Sequence, residues 1–190
     1  MNKILTFTLS IIGLMFFISP ISAQVKPVGT EKPKTDLELF QEKYGTVIVQ
    51  GFSRVGVIKG IGGTFQITVK EYKTSNTSTK VKGLLVEIDT GERYSSSARS
   101  FIEFSEIESL IKGITYISKI DKTATTLESF QADYTTKDDF RVSVFNDSAG
   151  KLNAAIKVGS IGGKTIYVDV SMLADLLAKL ESAKASLDVL

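Results

Sequence analysis

Apolar and polar residues alternate along two well-separated segments of this chain. Residues 65–69 (FQITV) and 140–144 (FRVSV) both place an apolar side chain at every second position. A period of two is typical of a strand with one buried face. Other stretches rich in β-branched and apolar residues predict six further strands. These lie at 46–58, 81–88, 101–104, 127–134, 152–158 and 166–170.

The apolar spacing changes to that of a helix after two of these strands. One stripe consists of Ile107, Leu110, Ile111, Ile114 and Ile117, and the other of Leu173, Leu176, Leu177, Leu180 and Leu187. Apolar residues three and four positions apart predict an amphipathic helix, and we expect each stripe to pack on its own sheet. A shorter helix is predicted from residue 36, where Thr35 and Glu38 form the pattern of a capping box and Gly45 follows as a stop.

The strand that precedes each long helix carries the same four residue types. Residues 102–105 (IEFS) and 168–171 (VDVS) both read apolar, acidic, apolar, serine. We therefore predict an α+β fold from a duplicated ββββα unit, with repeats at 46–120 and 125–190, antiparallel sheets, and Ser105 and Ser171 as helix N-caps. The first half is longer, and we expect its extra residues in loops. The alternative is a single curved antiparallel sheet or barrel with two helices.

This doubled order of four strands and a helix resembles that of the Whirly-type single-strand-binding fold. In that fold two antiparallel four-stranded sheets pack together and are held by the helices. The resemblance covers residues 46–190 and concerns element order alone. The KGKAAL-type strand motif of that family is not found, since residues 151–156 read KLNAAI. No functional residue is therefore carried over.

The first 23 residues have the pattern of a secretory signal peptide. Lys3 precedes an almost unbroken apolar run at 4–18, Pro20 ends it, and Ala23 offers a small residue before a cleavage point at Gln24. We expect a periplasmic or extracellular protein with a flexible leader at 24–35 and a single domain at 36–190. The alternative, a retained anchor, would need a longer apolar span.

Several chemistries are excluded by composition. The chain has 23 basic and 21 acidic residues, so it lacks the strong positive charge of many nucleic-acid-binding proteins. It has no histidine and no cysteine. Ser-His-Asp and Cys-His catalysis, most zinc sites and disulfides are therefore excluded. We predict no cofactor and no metal site.

Residues 159–165 (GSIGGKT) resemble a phosphate-binding loop but do not complete the motif. Val158 stands where the first glycine is required, and a strand rather than a helix follows the lysine. We predict a tight turn here instead, with Gly163, like Gly62 in the first half, at positive φ.

Four residues on the outward faces of the strands are candidate ligand-binding residues: Phe101, Glu103, Tyr167 and Asp169. Exposed aromatic rings on a sheet can stack on bases or sugars. A pseudo-twofold axis would bring Glu103 and Asp169 together as a carboxylate pair. The alternatives are an ordinary outward face for the acids and a second packed layer for the rings.

The sequence therefore favours an exported, non-catalytic binding or interaction protein whose partner is an unknown protein or small ligand. We do not expect a membrane span after cleavage of the signal peptide, and a nucleic-acid partner is not the expected one. One alternative is an exported binder of single-stranded nucleic acid or another polyanion. A second alternative is a hydrolase that uses Glu103 and Asp169.

Overall fold

Within the part of the chain that the structure describes, eight strands and three α-helices follow each other in the predicted order. The computed structural model describes residues 32–75, 79–93 and 97–190. The predicted signal peptide and most of the predicted leader lie outside the described residues. The strands are β1 (Ile48–Gly60), β2 (Gly63–Thr74), β3 (Lys80–Asp89), β4 (Ser97–Glu103), β5 (Gln131–Thr135), β6 (Arg141–Asn146), β7 (Leu152–Val158) and β8 (Lys164–Asp169). The helices are α1 (Asp36–Gln41), α2 (Ile107–Ile117) and α3 (Met172–Asp188).

The strands form two antiparallel sheets, each followed by a long helix. The first sheet has the order β1-β2-β3-β4 and the second the order β5-β6-β7-β8. Residues 33–190 belong to one compact unit. The predicted α+β fold with a ββββα plan in each half is therefore confirmed. Among the described residues, no helix has the length and apolar character that crossing a bilayer requires.

The two sheets share a strand register at the positions that match in sequence. In each sheet one row of paired residues crosses the second, third and fourth strands. Each row joins the last apolar residue of the alternating segment to the residue that precedes the repeated acid, Glu103 or Asp169. The rows are Val69–Leu84–Ile102 and Val144–Ala154–Val168. The superposition of the complete halves remains a prediction.

The greater length of the first half lies mainly in its strands. β2 and β3 have 12 and 10 residues, whereas β6 and β7 have 6 and 7. The expectation that loops hold the extra residues is therefore largely wrong. A hairpin lengthened by whole pairs of residues keeps its side chains on the same faces, so the register is preserved.

The main core lies between the two sheets and the two long helices. Phe65 of the first half stacks on Phe140 of the second, with ring centroids 5.6 Å apart and planes inclined by 18°. Both rings are fully buried, as are Ile107 at the start of the first helical stripe and Leu173 at the start of the second. Contacts between the halves therefore form the centre of the fold.

The long helices cross over to the opposite halves. The two long helices pack against each other; among the strands, α2 follows the first sheet but contacts mainly β5 and β6, while α3 follows the second sheet and contacts mainly β1 and β2. The expectation that each helix packs on its own sheet is therefore wrong. The reason is that β4 ends beside the turn between β5 and β6, where the Lys137 ammonium lies 2.8 Å from the Glu103 carboxylate. A helix that leaves β4 is thus already next to the second sheet.

The short helix α1 covers part of the outer face of the first sheet. The Glu38 N–H donates to the Thr35 hydroxyl and the Thr35 N–H to the Glu38 carboxylate, so the predicted capping box is confirmed. Leu37 and Phe40 of α1 pack with Tyr72 and Phe101 in a second apolar cluster. Phe101 does face away from the main core, but it is 8% exposed because α1 lies over it.

One of the two predicted serine N-caps is wrong, and the other is confirmed in position only. Ser105 lies inside a 3₁₀ turn, Phe104–Glu106, and α2 begins only at Ile107, so its assignment as the N-cap is wrong. Ser171 occupies the N-cap position of α3, but its side chain accepts no hydrogen bond from the helix. The 3₁₀ turn intervenes in the first half because the chain must bend from β4 toward the second sheet.

The turn glycines are partly as predicted. Gly62 has φ of 99°, which confirms its assignment. Gly163 does not have positive φ, and in its turn Gly159 and Gly162 adopt that conformation instead, at 80° and 73°. Gly163 is constrained by space, since a Cβ there would lie 2.4 Å from the Gly159 carbonyl oxygen.

Candidate ligand-binding face

The outer face of the second sheet is open, unlike that of the first. Alternation along β5–β8 directs one set of side chains into the core and the other set outward. Among the described residues, no helix packs over this outward set as α1 packs over the first sheet. We call it the open face. Its residues are Gln131, Asp133, Thr135, Arg141, Ser143, Phe145, Asn153, Ala155, Lys157, Thr165, Tyr167 and Asp169.

Two aromatic rings lie at the centre of the open face. Phe145 and Tyr167 meet edge to face, with centroids 6.4 Å apart and planes inclined by 82°. Tyr167 is 50% exposed, and the residues in its row on the neighbouring strands are Ala155 and Ser143. Because these neighbours are small, they leave space beside the tyrosine ring. A pocket of ≈ 330 Å³ occupies this space and reaches Arg141, Lys157 and Thr165.

A second pocket lies on the other side of Tyr167. It has a volume of ≈ 520 Å³, and its lining includes Lys59, Ile61, Lys151 and Asp169. The turn between β1 and β2 forms one wall, because Ile61 and Tyr167 exchange two backbone hydrogen bonds of 2.9 Å each. The backbone of Tyr167 is therefore held at the edge of β8 while its ring separates the two pockets.

The close approach of this turn to β8 depends on a glycine. A Cβ at Gly60 would lie 2.7 Å from the Tyr167 carbonyl oxygen and 2.9 Å from the Val168 side chain. Such contacts are shorter than van der Waals separation, so any larger residue would displace the turn. Gly60 thus permits the first sheet to contribute a wall to a pocket of the second.

Positive charge on and around the open face is only partly compensated. Within the part of the chain that the structure describes, Lys59 and Lys157 form no ion pair, and Arg141 donates through Nε to the neutral Thr135 hydroxyl at 3.0 Å. Lys151 approaches Asp169 only to 3.9 Å. The Asp133 carboxylate accepts hydrogen bonds from the neutral Gln131 amide at 2.9 Å and from the Ser143 hydroxyl, so it keeps its negative charge but pairs with none of these cations. An anionic ligand would therefore meet cations that have no carboxylate partner of their own.

The four predicted site residues separate into two pairs. Tyr167 and Asp169 belong to the open face and line the ≈ 520 Å³ pocket. Phe101 is covered by α1, and Glu103 lines a different pocket of ≈ 220 Å³ with Asp36 and Lys82. Glu103 and Asp169 therefore line different pockets, one beside the first sheet and one beside the second.

Glu103 is committed to structural contacts. Its carboxylate accepts hydrogen bonds from the Lys137 ammonium at 2.8 Å and from the Asp36 N–H at 3.0 Å. Burial opposes ionisation, but these hydrogen bonds outweigh it, so the pKa of Glu103 lies below its usual value. The hydrogen bond between Lys137 and Glu103 also raises the pKa of Lys137. Glu103 thus joins α1, the first sheet and the second sheet.

Asp169 has a comparable local role. Its carboxylate accepts a hydrogen bond from the Ser171 N–H at 3.0 Å, and this bond, with a second from the Ser171 side chain, lowers the pKa of Asp169. In the first half, a hydrogen bond from the Ser105 side chain also contributes to the lowered pKa of Glu103. The repeated acid-x-Ser pattern therefore fixes the turn after the last strand of each sheet, which accounts for its recurrence without catalysis.

The sequence-based selection did not include Arg141, Lys157 and Asn153, and it left Phe145 outside the candidate set. The available signal was the alternation in β6 and β7, which places all four on the same face as Tyr167. Recognising them required knowledge of which strands are neighbours.

Comparisons with family models, with curated proteins and with solved structures gave no match for this chain. Among the described residues, no group of three or more acidic side chains is placed to hold a metal ion.

Proposed function

We propose that this chain is an exported binding protein without catalytic activity, and that its ligand occupies the open face around Tyr167. The observation that carries the proposal is the half-exposed Tyr167 ring between two pockets. The corresponding ring of the first sheet, Phe101, is covered by α1. An aromatic ring exposed beside a few polar groups is typical of a ligand site, because the ring supplies contact area and the polar groups supply orientation.

The site is also pre-organised. Tyr167 is held through its backbone by Ile61, and its ring lies edge to face with that of Phe145. A ring that is ordered before binding loses little conformational freedom when a ligand stacks on it, so more of the contact energy contributes to affinity. A regular strand is a suitable support for such a ring.

Export is supported by the sequence pattern at 1–23, and a direct test is available. Sequencing the N-terminus of material recovered outside the cytoplasm should give a start near Gln24. Recovery of a chain that still begins at Met1 would contradict cleavage.

Binding is tested by probing one array with the protein and with its Tyr167→Ala variant. The array carries neutral glycans, acidic glycans, oligonucleotides and peptides. We expect at least one ligand class that the unaltered protein retains and the variant loses. Equal retention by both proteins would place binding elsewhere, and no retention by either would contradict a binding role for the open face.

A polyanion such as a single-stranded nucleic acid is the second candidate ligand. The uncompensated cations Lys59, Arg141 and Lys157 favour it, since phosphates are bound mainly by such groups. Binding of this kind should weaken steeply as salt concentration increases. A salt-independent interaction would exclude it.

A further inference from the structure

The outer faces of the first and second sheets differ in ways that favour one class of ligand for the open face. We infer that the open face binds an acidic polysaccharide, with one sugar ring stacked on Tyr167 and its anionic groups held by Arg141 and Lys157. This inference rests on the proposed function and goes beyond it by naming the ligand.

The open face lacks the apolar socket that a helix would need. In the first sheet, α1 rests against a set of apolar side chains on three adjacent strands. The second sheet matches only part of this set, because its β6–β7 hairpin is shorter and ends before the positions that correspond to the other part. The set is Tyr72, Val81, Leu85 and Phe101. Leu85 and Phe101 correspond to Ala155 and Tyr167, whereas Tyr72 and Val81 lie where β2 and β3 extend beyond the ends of β6 and β7, so the second sheet has only the turn at 147–151 there.

Without this apolar socket, the open face suits a ligand other than a helix. An amphipathic helix docks through several apolar side chains in a continuous groove. In the second sheet, alanine at 155 in place of Leu85 and the shorter β6–β7 hairpin remove that groove, while Tyr167 remains exposed beside Phe145. A sugar ring suits such a surface, because its C–H face packs on the aromatic ring while its hydroxyl groups remain at the polar rim.

The polar rim around Tyr167 offers groups of the required kinds. Asn153 and Asp169, one row away, carry an amide and a carboxylate, which pair with hydroxyl groups. In the opposite direction, Arg141, Lys157 and Thr165 form a row on β6, β7 and β8. This row is two residues from the Tyr167 row, a distance of about 7 Å along the strands.

The two basic residues of this row, Arg141 and Lys157, favour a negatively charged ligand. The Arg141 guanidinium uses Nε for Thr135, and its terminal nitrogens have no partner among the described residues. A guanidinium with free terminal nitrogens binds carboxylate or sulfate with two parallel hydrogen bonds. A carboxylate attached to a sugar stacked on Tyr167 would lie close enough to the row for Arg141 or Lys157 to reach it.

The number of rings favours a glycan over a nucleic acid. Nonspecific single-strand binders stack successive bases on successive aromatic side chains. On the described open face, Tyr167 is the aromatic residue that is half exposed, while Phe145 is partly buried and touches it edge to face. One exposed ring with two cations matches a single charged sugar unit better than a run of bases.

The test uses the purified protein and four probes, measured by titration calorimetry at low and at raised salt. The probes are an oligogalacturonate, its methyl ester, polyphosphate and an oligothymidylate. We expect the oligogalacturonate to bind in a salt-sensitive way and the uncharged methyl ester to bind at least tenfold more weakly. Polyphosphate and oligothymidylate should also bind at least tenfold more weakly. Polyphosphate has no sugar ring to stack on Tyr167, and oligothymidylate requires several exposed aromatic side chains on which its bases can stack.

Variants locate the interaction. Tyr167→Ala and the pair Arg141→Gln with Lys157→Gln should each weaken oligogalacturonate binding at least tenfold, and Tyr167→Phe should retain it because the ring remains. The matched control is Phe52→Ala, which removes an aromatic side chain that is 72% exposed on the first sheet. It should leave binding unchanged.

The possible negative results contradict different claims about the ligand and about the binding site. Equal binding of the methyl ester or of polyphosphate, or tighter binding of oligothymidylate, would overturn the acidic-glycan inference. If Tyr167→Ala abolishes the binding of that other probe, the open face is still the binding site. A loss with Phe52→Ala equal to that with Tyr167→Ala would overturn the location. No binding of oligogalacturonate at millimolar concentration would also overturn the inference, while the array result decides the proposed function separately.

Discussion

The crossing of α2 onto the second sheet can be tested at a single helical glycine. A Cβ built at Gly113 lies 2.0 Å from Cδ2 and 2.8 Å from Cγ of Tyr134 on β5. Glycine in mid-helix is less favourable than alanine by about 0.8–1.0 kcal/mol, so Gly113→Ala would ordinarily stabilise the protein. Here the new methyl group must displace an aromatic ring, and overpacking of this kind costs about 1–3 kcal/mol. The expected net effect is a destabilisation of about 0–2 kcal/mol.

The sign of the effect should reverse when the ring is removed. In a Tyr134→Ala background the space is free, so Gly113→Ala should stabilise by about 1 kcal/mol. The free energies of unfolding are measured by urea denaturation for the four proteins of this cycle, and the expected coupling is about 1–3 kcal/mol.

A control separates this contact from general effects on the helix. Tyr116 lies on α2 and is 71% exposed, so Tyr116→Ala removes an aromatic side chain from the same helix without opening that space. The effect of Gly113→Ala should keep its sign in this background. If Gly113→Ala stabilises the unaltered protein as well, or if the Tyr134 cycle is additive, the packing of α2 on β5 is wrong.

Three further predictions concern stability. Ile107→Ala and Leu173→Ala each empty a fully buried position, so each should lower the free energy of unfolding by about 2–5 kcal/mol in urea titrations; a cost below about 1 kcal/mol at either site would contradict its place in the core. Valine at Gly62 should lower the melting temperature through backbone strain at φ 99°, and valine at Gly163 through collision with a carbonyl oxygen, and unchanged melting would refute the respective turn geometry. The lowered pKa of Glu103 means that the unfolded chain binds its proton more readily, so the contribution of this carboxylate is present above the ordinary pKa of 4.5 and is lost as pH falls through the lower folded value. Glu103→Gln should therefore destabilise at neutral pH and progressively less below 4.5, whereas a difference independent of pH would mean that ionisation of this carboxylate is not what stabilises the fold.

The candidate site could be predicted only in part, for a definite reason. Alternation in β8 correctly puts Tyr167 and Asp169 on the outward side, because side-chain direction within a strand is a local property. The same logic directs Phe101 away from the main core, yet α1 covers it through Leu37 and Phe40. Whether an outward residue meets solvent or another element depends on distant parts of the chain.

The sequence by itself determined the elements of this protein and their order. The two periods of apolar residues, the capping box at Thr35 and the glycine turn at Gly62 are local, and local physics decides them. Tertiary structure alone decided how the elements combine. In the folded protein α2 packs on the second sheet and α3 on the first, Glu103 and Asp169 line different pockets, and no described helix covers the outer face of the second sheet. They depend on contacts between residues far apart in the chain, such as the end of β4 beside the β5–β6 turn and α1 on the first sheet, and such contacts leave no periodic trace in the sequence.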